Sequence, residues 1–361
     1  MRVLFDHQIF LSYKFGGVAR YHFKLYESLL RLKNQHAYEI VHFGTDNHYL
    51  DGEKKIIDFK GRKKVVGYIN NRLVINRFKN VEVFHPTYYD TYFLGRKDVP
   101  AYVLTIHDMI PEWEYQSGNG VFKQLVDCKR QLLEKASAVI AISEATKKDI
   151  SVFSRIDPAK ITVIHHGEPD YFSKYSGMRQ DYNPGEAYVL YVGYRDGYKN
   201  FKFALKGLAS FLKKEPVSLK VVGKEVSREE KELISQLGLE HKVIFLRETS
   251  EDTLYSLYQQ ALCFIYPSLM EGFGIPILEA FYSGCPVICS DIDCFREVAS
   301  DAALYFDPKS PESLNRTMEK VYSSREVRNE LRKKGESRLR SFSWAHTAKA
   351  TNGVYEAALN H

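Results

Sequence analysis

"YPSLMEGFGIPILEAFYSGCPVICSD" runs from Tyr266 to Asp291, and its reading decides the fold. An apolar run, "LCFIYPS" (262–268), leads into it and reads as a strand. "LMEGFG" is a turn at the carboxyl end of that strand. Pro276 suits the first turn of a helix, where its missing N–H is not needed. Gly284 stops that helix at about Ser283, and "PVICSD" (286–291) is the next strand. From Gly272 to Ser290 the one charged side chain is Glu279, and Glu271 lies eight residues before it. This places Glu279 in the first helical turn and Glu271 on the loop, both near strand ends. The N–H groups of "GFGIP", around Phe273, Gly274 and Ile275, make the helix start an anion-binding site. A carboxylate accepts two hydroxyl hydrogen bonds, which suits a ribose or hexose diol. The plainer alternative is that Glu279 caps its own helix and Glu271 is a loop acid.

Outward from this stretch the same alternation repeats. Strand-like runs occur at 2–6, 38–44, 81–86, 101–108, 137–143 and 160–167, and again at 188–193, 219–223, 242–247, 262–268, 286–291 and 303–307. Helical patterns such as Arg20 to Lys33 and Phe122 to Lys135 separate them. Strands alternating with helices imply parallel sheets with crossover helices. A polar stretch with Pro and Gly and no period divides the two sets and reads as a linker. The chain is therefore expected to be α/β, with two Rossmann-like doubly wound domains facing across a cleft. Residues 1–170 form the first, 171–187 the linker and 188–344 the second. In open α/β sheets ligands bind at the carboxyl ends of strands.

Four further motifs fall at such ends. In "YVGYRDGYKNF" (191–201) a strand closes at Gly193, and Arg195 and Lys199 follow in the loop before a helix. Two cations there suit a departing diphosphate in the absence of a metal; two solvated loop cations are the alternative. "FGGVARY" (15–21) feeds a helix, and Gly16 and Gly17 let backbone approach a ligand closely, unless they only make a tight turn. "TIHDMIP" (105–111) sets His107 and Asp108 at a strand end, where the imidazole can bond a sugar or polarise a leaving group, or serve as a satisfied structural His. Ser143 is most simply a helix N-cap. No Walker pattern occurs, and no Gly-x-Gly-x-x-Gly follows a strand.

The 361 residues are 44% hydrophobic and 27% charged, enough for two cores. A net charge of +6 favours anionic ligands or an anionic membrane surface but is too weak to argue for nucleic acid. The five cysteines, with no C-x-x-C pair, read as reduced and mostly buried thiols of a cytoplasmic protein. "MRVLFDHQIF" is not read as a signal peptide, and no stretch of about 18 apolar residues suggests a membrane span.

Together these segments resemble the retaining glycosyltransferases of the GT-B fold, family four (glycosyltransferase group 1), over nearly the whole chain. The likeness rests on the Gly-Gly loop, His107-Asp108, Arg195 with Lys199-Asn200, the pair Glu271/Glu279, and the closing "FSWAHTAKATNGVYEAAL" (342–359). It implies that a last helix, within 345–361, crosses back to the first domain. It implies that Glu279 holds the nucleotide ribose and Glu271 the donor hexose hydroxyls, with backbone at Phe273, Gly274 and Ile275 on the sugar and phosphates. It implies that Arg195 and Lys199 stabilise the diphosphate, that Gly16, Gly17 and Gly193 admit donor close to backbone, and that His107 sits by the reacting centre. The loop from Arg247 and Glu248 to Ser250 would line the base.

No convincing protein nucleophile is present, so same-face attack by the acceptor is favoured over a covalent intermediate. Asp291-Ile-Asp293 reads as a loop beyond the site, so no metal and no cofactor is expected; the nucleotide sugar is a substrate. "GGVARY" with "HDMIP" resembles a mannosyltransferase-like branch that builds surface polysaccharide, which leans towards GDP-mannose over UDP-sugars. The partners implied are a nucleotide sugar and a glycan or lipid-linked oligosaccharide acceptor on the first domain. The basic segment 54–80, with Lys60, Arg62, Lys63, Lys64 and Arg72 interleaved with Val65, Val66, Tyr68 and Leu73, suggests peripheral contact with anionic membrane. Its alternative is a core helix with a solvated basic face. An epimerase of the same fold, and a non-catalytic sugar-nucleotide-binding scaffold, are the rival functions.

Overall fold

The structure, a computed structural model, describes residues 1–45, 47–50, 63–175, 187–195, 197–247 and 249–359, residue 63 for its backbone alone. The chain divides into two compact units, Met1–Gly167 with Ser343–His361, and Glu168–Phe342. Each is built on a six-stranded, all-parallel sheet with helical crossovers, which is the expected α/β architecture.

In the first unit the strands are β1 (Arg2–Phe5), β2 (Ala37–Ile40), β3 (Val83–His85), β4 (Ala101–Ile106), β5 (Ala138–Ala141) and β6 (Ile161–Val163). Their order across the sheet is β2-β1-β3-β4-β5-β6. β1, β3, β4 and β5 are buried almost throughout, as strands covered on both faces must be. The helix Trp344–Ala358 belongs to this unit and packs on the helix Gly17–Leu30. Trp344, Ala348, Val354 and Tyr355 share a core with Tyr21, Leu25 and Leu29. The contact is close: a Cβ on Gly167 would lie 2.4 Å from the Trp344 ring.

In the second unit the strands are β7 (Tyr188–Val192), β8 (Ser218–Val222), β9 (Val243–Leu246), β10 (Cys263–Tyr266), β11 (Val287–Ser290) and β12 (Ala303–Phe306). The order is β12-β11-β10-β7-β8-β9. The chain thus leaves the sheet centre in one direction over β7 to β9 and in the other over β10 to β12. That reversal opens a crevice at the carboxyl ends of β7 and β10. In the first unit the corresponding reversal lies between β1 and β3.

Two expectations need adjustment. Residues 176–186 of the expected linker lie outside the described residues. Residues 171–175 do not behave as loose connector: they belong to the 3-10 helix Asp170–Tyr175, whose Phe172 is buried and packs its ring against Tyr255 and Tyr282 of the second unit. The helix after the Gly-Phe-Gly turn runs Ile275–Tyr282, so Glu279 is its fifth residue and sits in the second turn, not the first. Gly284 does end it, in the left-handed region at φ 68°, while the Cys285 N–H bonds back to the Ala280 carbonyl. All five cysteines are free thiols, and four are buried.

Candidate functional site

The crevice at the ends of β7 and β10 gathers the second unit's polar motifs. Gly193 follows β7 at φ 128°, and a Cβ there would meet nothing within 4 Å. The loop then turns through Gly197–Lys199, and Asn200, itself left-handed at φ 58°, starts the helix Phe201–Lys214. Lys199 reaches across to the loop after β10, where its Nζ lies 2.6 Å from Glu271 Oε1. Ser268, three residues before Glu271, donates to the same oxygen at 2.7 Å. This pair, joined across the point where the strand order reverses, is largely shielded from solvent yet not sealed. The Glu271 carboxylate also lies beside Tyr266, whose phenol is pushed up by burial first and by that charge second.

Gly274 stands immediately before the helix Ile275–Tyr282 at φ 112°, and a Cβ on it would come within 3.2 Å of Phe295. Only glycine fits both demands. Phe273 is buried, and its carbonyl accepts the Cys294 thiol. Ile275 opens the helix, where first-turn N–H groups have no partner within the helix. Glu279 lies on the buried side of the same helix. Its Oε2 accepts from Tyr258 at 2.9 Å, and its Oε1 accepts from Tyr171. Burial, then the Glu279 charge, raises the Tyr258 phenol well above its ordinary range.

Arg195 differs from the expectation of a second cation free for a diphosphate. Its guanidinium is turned into the protein, 5% exposed, and bonds Glu230 through Nε (2.7 Å) and Nη2 (3.2 Å). It also donates to the carbonyls of Lys224 (2.9 Å) and Glu225 (2.7 Å). Glu230 is in turn the third residue of a capping box whose N-cap is Ser227. Burial pushes the Glu230 carboxyl up, and the bonds from Arg195 and Ser227 more than reverse this, leaving it below its usual value. The charge of Arg195 is therefore matched inside the fold, and Lys199 is the cation that the crevice receives. Arg247, at the end of β9, is exposed and pairs with Glu225. Glu248 lies outside the described residues.

In the first unit, Gly16 precedes the helix Gly17–Leu30 at φ 149° with open space where a Cβ would be, and both glycines are exposed. His107 follows β4, with its N–H bonded to Tyr89 Oη at 3.1 Å. Its ring is not isolated. His22 lies 5.5 Å away between ring centres and His166 6.2 Å, while His85 is 5.3 Å from His22. Tyr21 packs edge-on against His107 at 4.9 Å. Burial, with smaller effects of His85 and Lys129, pushes His107 down to about 3, so the ring is neutral at neutral pH. Among the described residues no group of three His, Cys, Asp or Glu is arranged to hold a metal. Asp291 is held by Nε and Nη2 of Arg296, at 2.7 and 2.8 Å, and Asp293 starts a helix. Ser143 caps the helix Glu144–Phe153 through the Thr146 N–H, as expected.

The described part of the basic segment is the helix Lys63–Arg77. Lys64, Val65, Tyr68, Arg72 and Leu73 are exposed on it, while Val66, like Val74 and Phe78, is buried. Val66 is thus core, not a surface anchor. Lys60, Arg62 and the Lys63 side chain lie outside the described residues.

Sequence reasoning missed the groups that hold the site in place: Ser268, Tyr171, Tyr258, Glu230 and the histidines around His107. Ser268 carried a signal, being three residues from Glu271. The others come from distant elements, and only the sheet order brings them in.

Two family models match the chain in succession: Glycosyltransferase Family 4 over residues 15–168 and Glycosyl transferases group 1 over residues 178–338. The O-antigen chain mannosyltransferase RfbU of Salmonella typhimurium is 30% identical over 215 residues, covering 58% of each protein. The chain spans about three fifths of the length of such curated relatives, and about a third of others. Among solved structures, sucrose-phosphate synthase from Thermosynechococcus elongatus superimposes with a TM-score of 0.76 over 98% of both chains at 17% identity. Anabaena Alr3699/HepE, solved with UDP and glucose, gives 0.73 over 99% of both at 15% identity. The fold is GT-B.

Proposed function

The chain belongs to the group 1 glycosyltransferases, and from that premise we propose that it moves a hexose from a nucleotide sugar to a glycan or lipid-linked glycan acceptor, with retention of configuration. The observation that carries this reading is the Lys199–Glu271 pair in the crevice at the ends of β7 and β10, beside a glycine-lined approach. A nucleoside diphosphate leaving group develops negative charge as the anomeric bond breaks. Lys199 is placed to meet it, and a fixed cation in a shielded site stabilises such charge far better than one in water. Glu271, held by Lys199 and Ser268, takes donor hydroxyls. Arg195 positions the loop that carries Lys199 and does not itself touch the donor. Glu279 takes the ribose diol, with Tyr171 yielding its place on Oε1. His107, neutral, can accept or donate one hydrogen bond near the acceptor and carries no charge into the site. No step is assigned to a metal.

The donor we propose is GDP-mannose, in surface polysaccharide assembly. Its support is the likeness to an O-antigen chain mannosyltransferase. The test is a donor panel by thermal shift and hydrolysis, with GDP-mannose, GDP-fucose, UDP-glucose, UDP-galactose and UDP-N-acetylglucosamine, each with and without EDTA. Stabilisation and turnover with GDP-mannose in EDTA is the expected result. A response to UDP-sugars alone discards the donor, activity restored only by Mn²⁺ discards metal independence, and donor conversion without acceptor to an epimer discards transfer.

Peripheral membrane contact through the exposed face of the helix Lys63–Arg77 belongs to the same reading. Among the described residues no helix is long and apolar enough to cross a membrane. Lys64 and Arg72 flank Val65, Tyr68 and Leu73, and Arg72 lies against the Tyr68 ring. Co-sedimentation with anionic liposomes, lost in Lys63/Lys64→Glu, is expected; binding unchanged by that charge reversal overturns the contact.

A further inference from the structure

Two motifs that stand 85 positions apart in the sequence meet in the first unit. The helix Gly17–Leu30, fed by the Gly-Gly loop, carries His22, and His107 follows β4. Both rings are buried. Their Nε2 atoms face each other at 3.5 Å, a long hydrogen bond, with ring planes crossed at 73°. The nearest other imidazole does not compete for either ring. His85 is engaged at both nitrogens, Nδ1 with Tyr355 Oη at 2.6 Å and Nε2 with Thr105 Oγ1 at 2.9 Å. Tyr21 packs edge-on against both rings, at 5.1 Å from His22 and 4.9 Å from His107 between centres, and holds them in place.

A neutral imidazole carries one N–H and one bare nitrogen. Both rings are neutral at neutral pH. Burial holds His107 at about 3 and, with the neighbouring histidines adding to it, holds His22 well below its usual value. Two N–H groups set head to head repel, and so do two bare nitrogens. One ring therefore donates and the other accepts, and the Nδ1 atoms decide which. His22 Nδ1 is buried and has no hydrogen-bond partner among the described residues. Were His22 the acceptor, its proton would sit on that atom as an orphaned N–H sealed in the core, a kind of group that folded proteins rarely hold. With His22 as donor the sealed atom is only a bare acceptor. The remaining N–H of the pair then falls on Nδ1 of His107. His107 is 7% exposed against 1% for His22, so the N–H belongs to the ring that reaches the surface. His107 Nδ1 makes no hydrogen bond among the described residues, which leaves its proton for a ligand.

We propose that His22 is a positioning residue: it donates from Nε2 to Nε2 of His107 and so fixes His107 as the Nδ1–H tautomer, a hydrogen-bond donor towards substrate. The proposal rests on the transferase reading above and narrows it. A ring that could accept or donate becomes a donor alone. His107 gives a hydrogen bond to a substrate oxygen, and it is not the base that takes the acceptor's proton, because its bare nitrogen is turned inward and occupied. Free neutral histidine favours the opposite form, Nε2–H, so the assigned tautomer is a signature that an unconstrained ring does not give.

The test reads the tautomers directly on the whole chain. Histidine labelled with nitrogen-15 is incorporated, and two-bond proton–nitrogen correlation spectra at pH 7.5 tell the protonated ring nitrogen from the bare one. Signals are assigned by their loss in His107→Phe and His22→Phe. The wild-type chain is expected to show His107 protonated at Nδ1 and His22 at Nε2. In His22→Phe the His107 ring is expected to move towards Nε2–H. The reverse tautomer on either wild-type ring overturns the proposal, whether or not any variant folds. His107 unmoved in a folded His22→Phe chain overturns it as well. Turnover of GDP-mannose supplies the second readout. His22→Phe is expected to lower kcat/KM about 2–10-fold, as the donating form becomes a fraction of the rings. His22→Phe with His107→Phe is expected to be no slower than His107→Phe alone, because His22 acts through His107. Losses that multiply in the double variant overturn the positioning role. Tautomers as assigned in a wild-type chain that turns over no GDP-mannose sink the reading of that donor instead, and leave the tautomer assignment standing.

Discussion

Lys199 and Arg195 look equivalent in "YRDGYKN", and the structure separates them. Lys199 faces a crevice acid, whereas Arg195 is closed around Glu230 and two carbonyls. Lys199→Ala is expected to lower kcat about 10²-fold, the scale seen when one preorganised stabiliser of developing charge is removed, with the unfolding midpoint nearly unchanged. Arg195→Ala strands a buried Glu230 and is expected to destabilise the second unit by about 3–5 kcal/mol. Urea unfolding beside steady-state kinetics checks both; a stable Arg195→Ala protein with only kcat reduced would return Arg195 to the diphosphate. Tyr171 bonds the Glu279 oxygen assigned to the ribose. Tyr171→Phe removes a competitor and is expected to tighten donor binding about 2–10-fold, the worth of one net hydrogen bond; calorimetry showing weaker binding would make Tyr171 a donor ligand. At this scale the sequence told which residue types gather at strand ends. It could not tell which charges are already neutralised, because Glu230 is 35 positions from Arg195 and no local pattern links them.

Elements were the most legible scale. The alternation of β-branched runs with helical patterns located every strand of both sheets, and Ser143, Pro276 and Gly284 marked helix ends through local chemistry. The position of Glu279 was missed by a turn because helix starts are set by the Gly274 backbone, not by side-chain pattern. The histidines show what packing adds. His22 comes from the helix Gly17–Leu30, His85 from β3, His107 from the end of β4 and His166 from just after β6. Buried together, His85 and His107 are pushed down to about 3, chiefly by desolvation. The unfolded chain takes up these protons from about pH 6.5 downward, and the folded unit refuses them until about pH 3. Their contribution is whole above pH 6.5 and is lost as pH falls, about 2 kcal/mol for each ring at pH 5. Unfolding free energies from denaturant titrations at pH 7.5 and pH 5 should therefore differ by several kcal/mol for the first unit. Equal stability at the two values would mean the rings charge without penalty.

For the molecule as a whole, the sequence supplied two sheets, and the structure supplied their orders. The reversals β1/β3 and β7/β10 fix where crevices open, and strand order is not written in any local run of residues. The other long-range feature is the return of residues 343–361 to the first unit. Gly167 is its contact point, since a Cβ there would lie 2.5 Å from the Trp344 backbone nitrogen. Gly167→Ala is expected to destabilise the first unit by about 1–3 kcal/mol through overpacking, read as a lower Tm for that unit; an unchanged Tm would show that the Trp344 turn moves freely. That return also bears on how the protein is made. A ribosome releases residues 1–167 first, but their core lacks Trp344, Ala348 and Tyr355 until the whole of residues 168–342 has emerged. The second unit can close as soon as it is synthesised, whereas the first must wait with an apolar face uncovered. The usual N-terminal-first order of domain folding is reversed here at its final step, and the first unit's exposure to chaperones and proteases is set by the time taken to translate its neighbour.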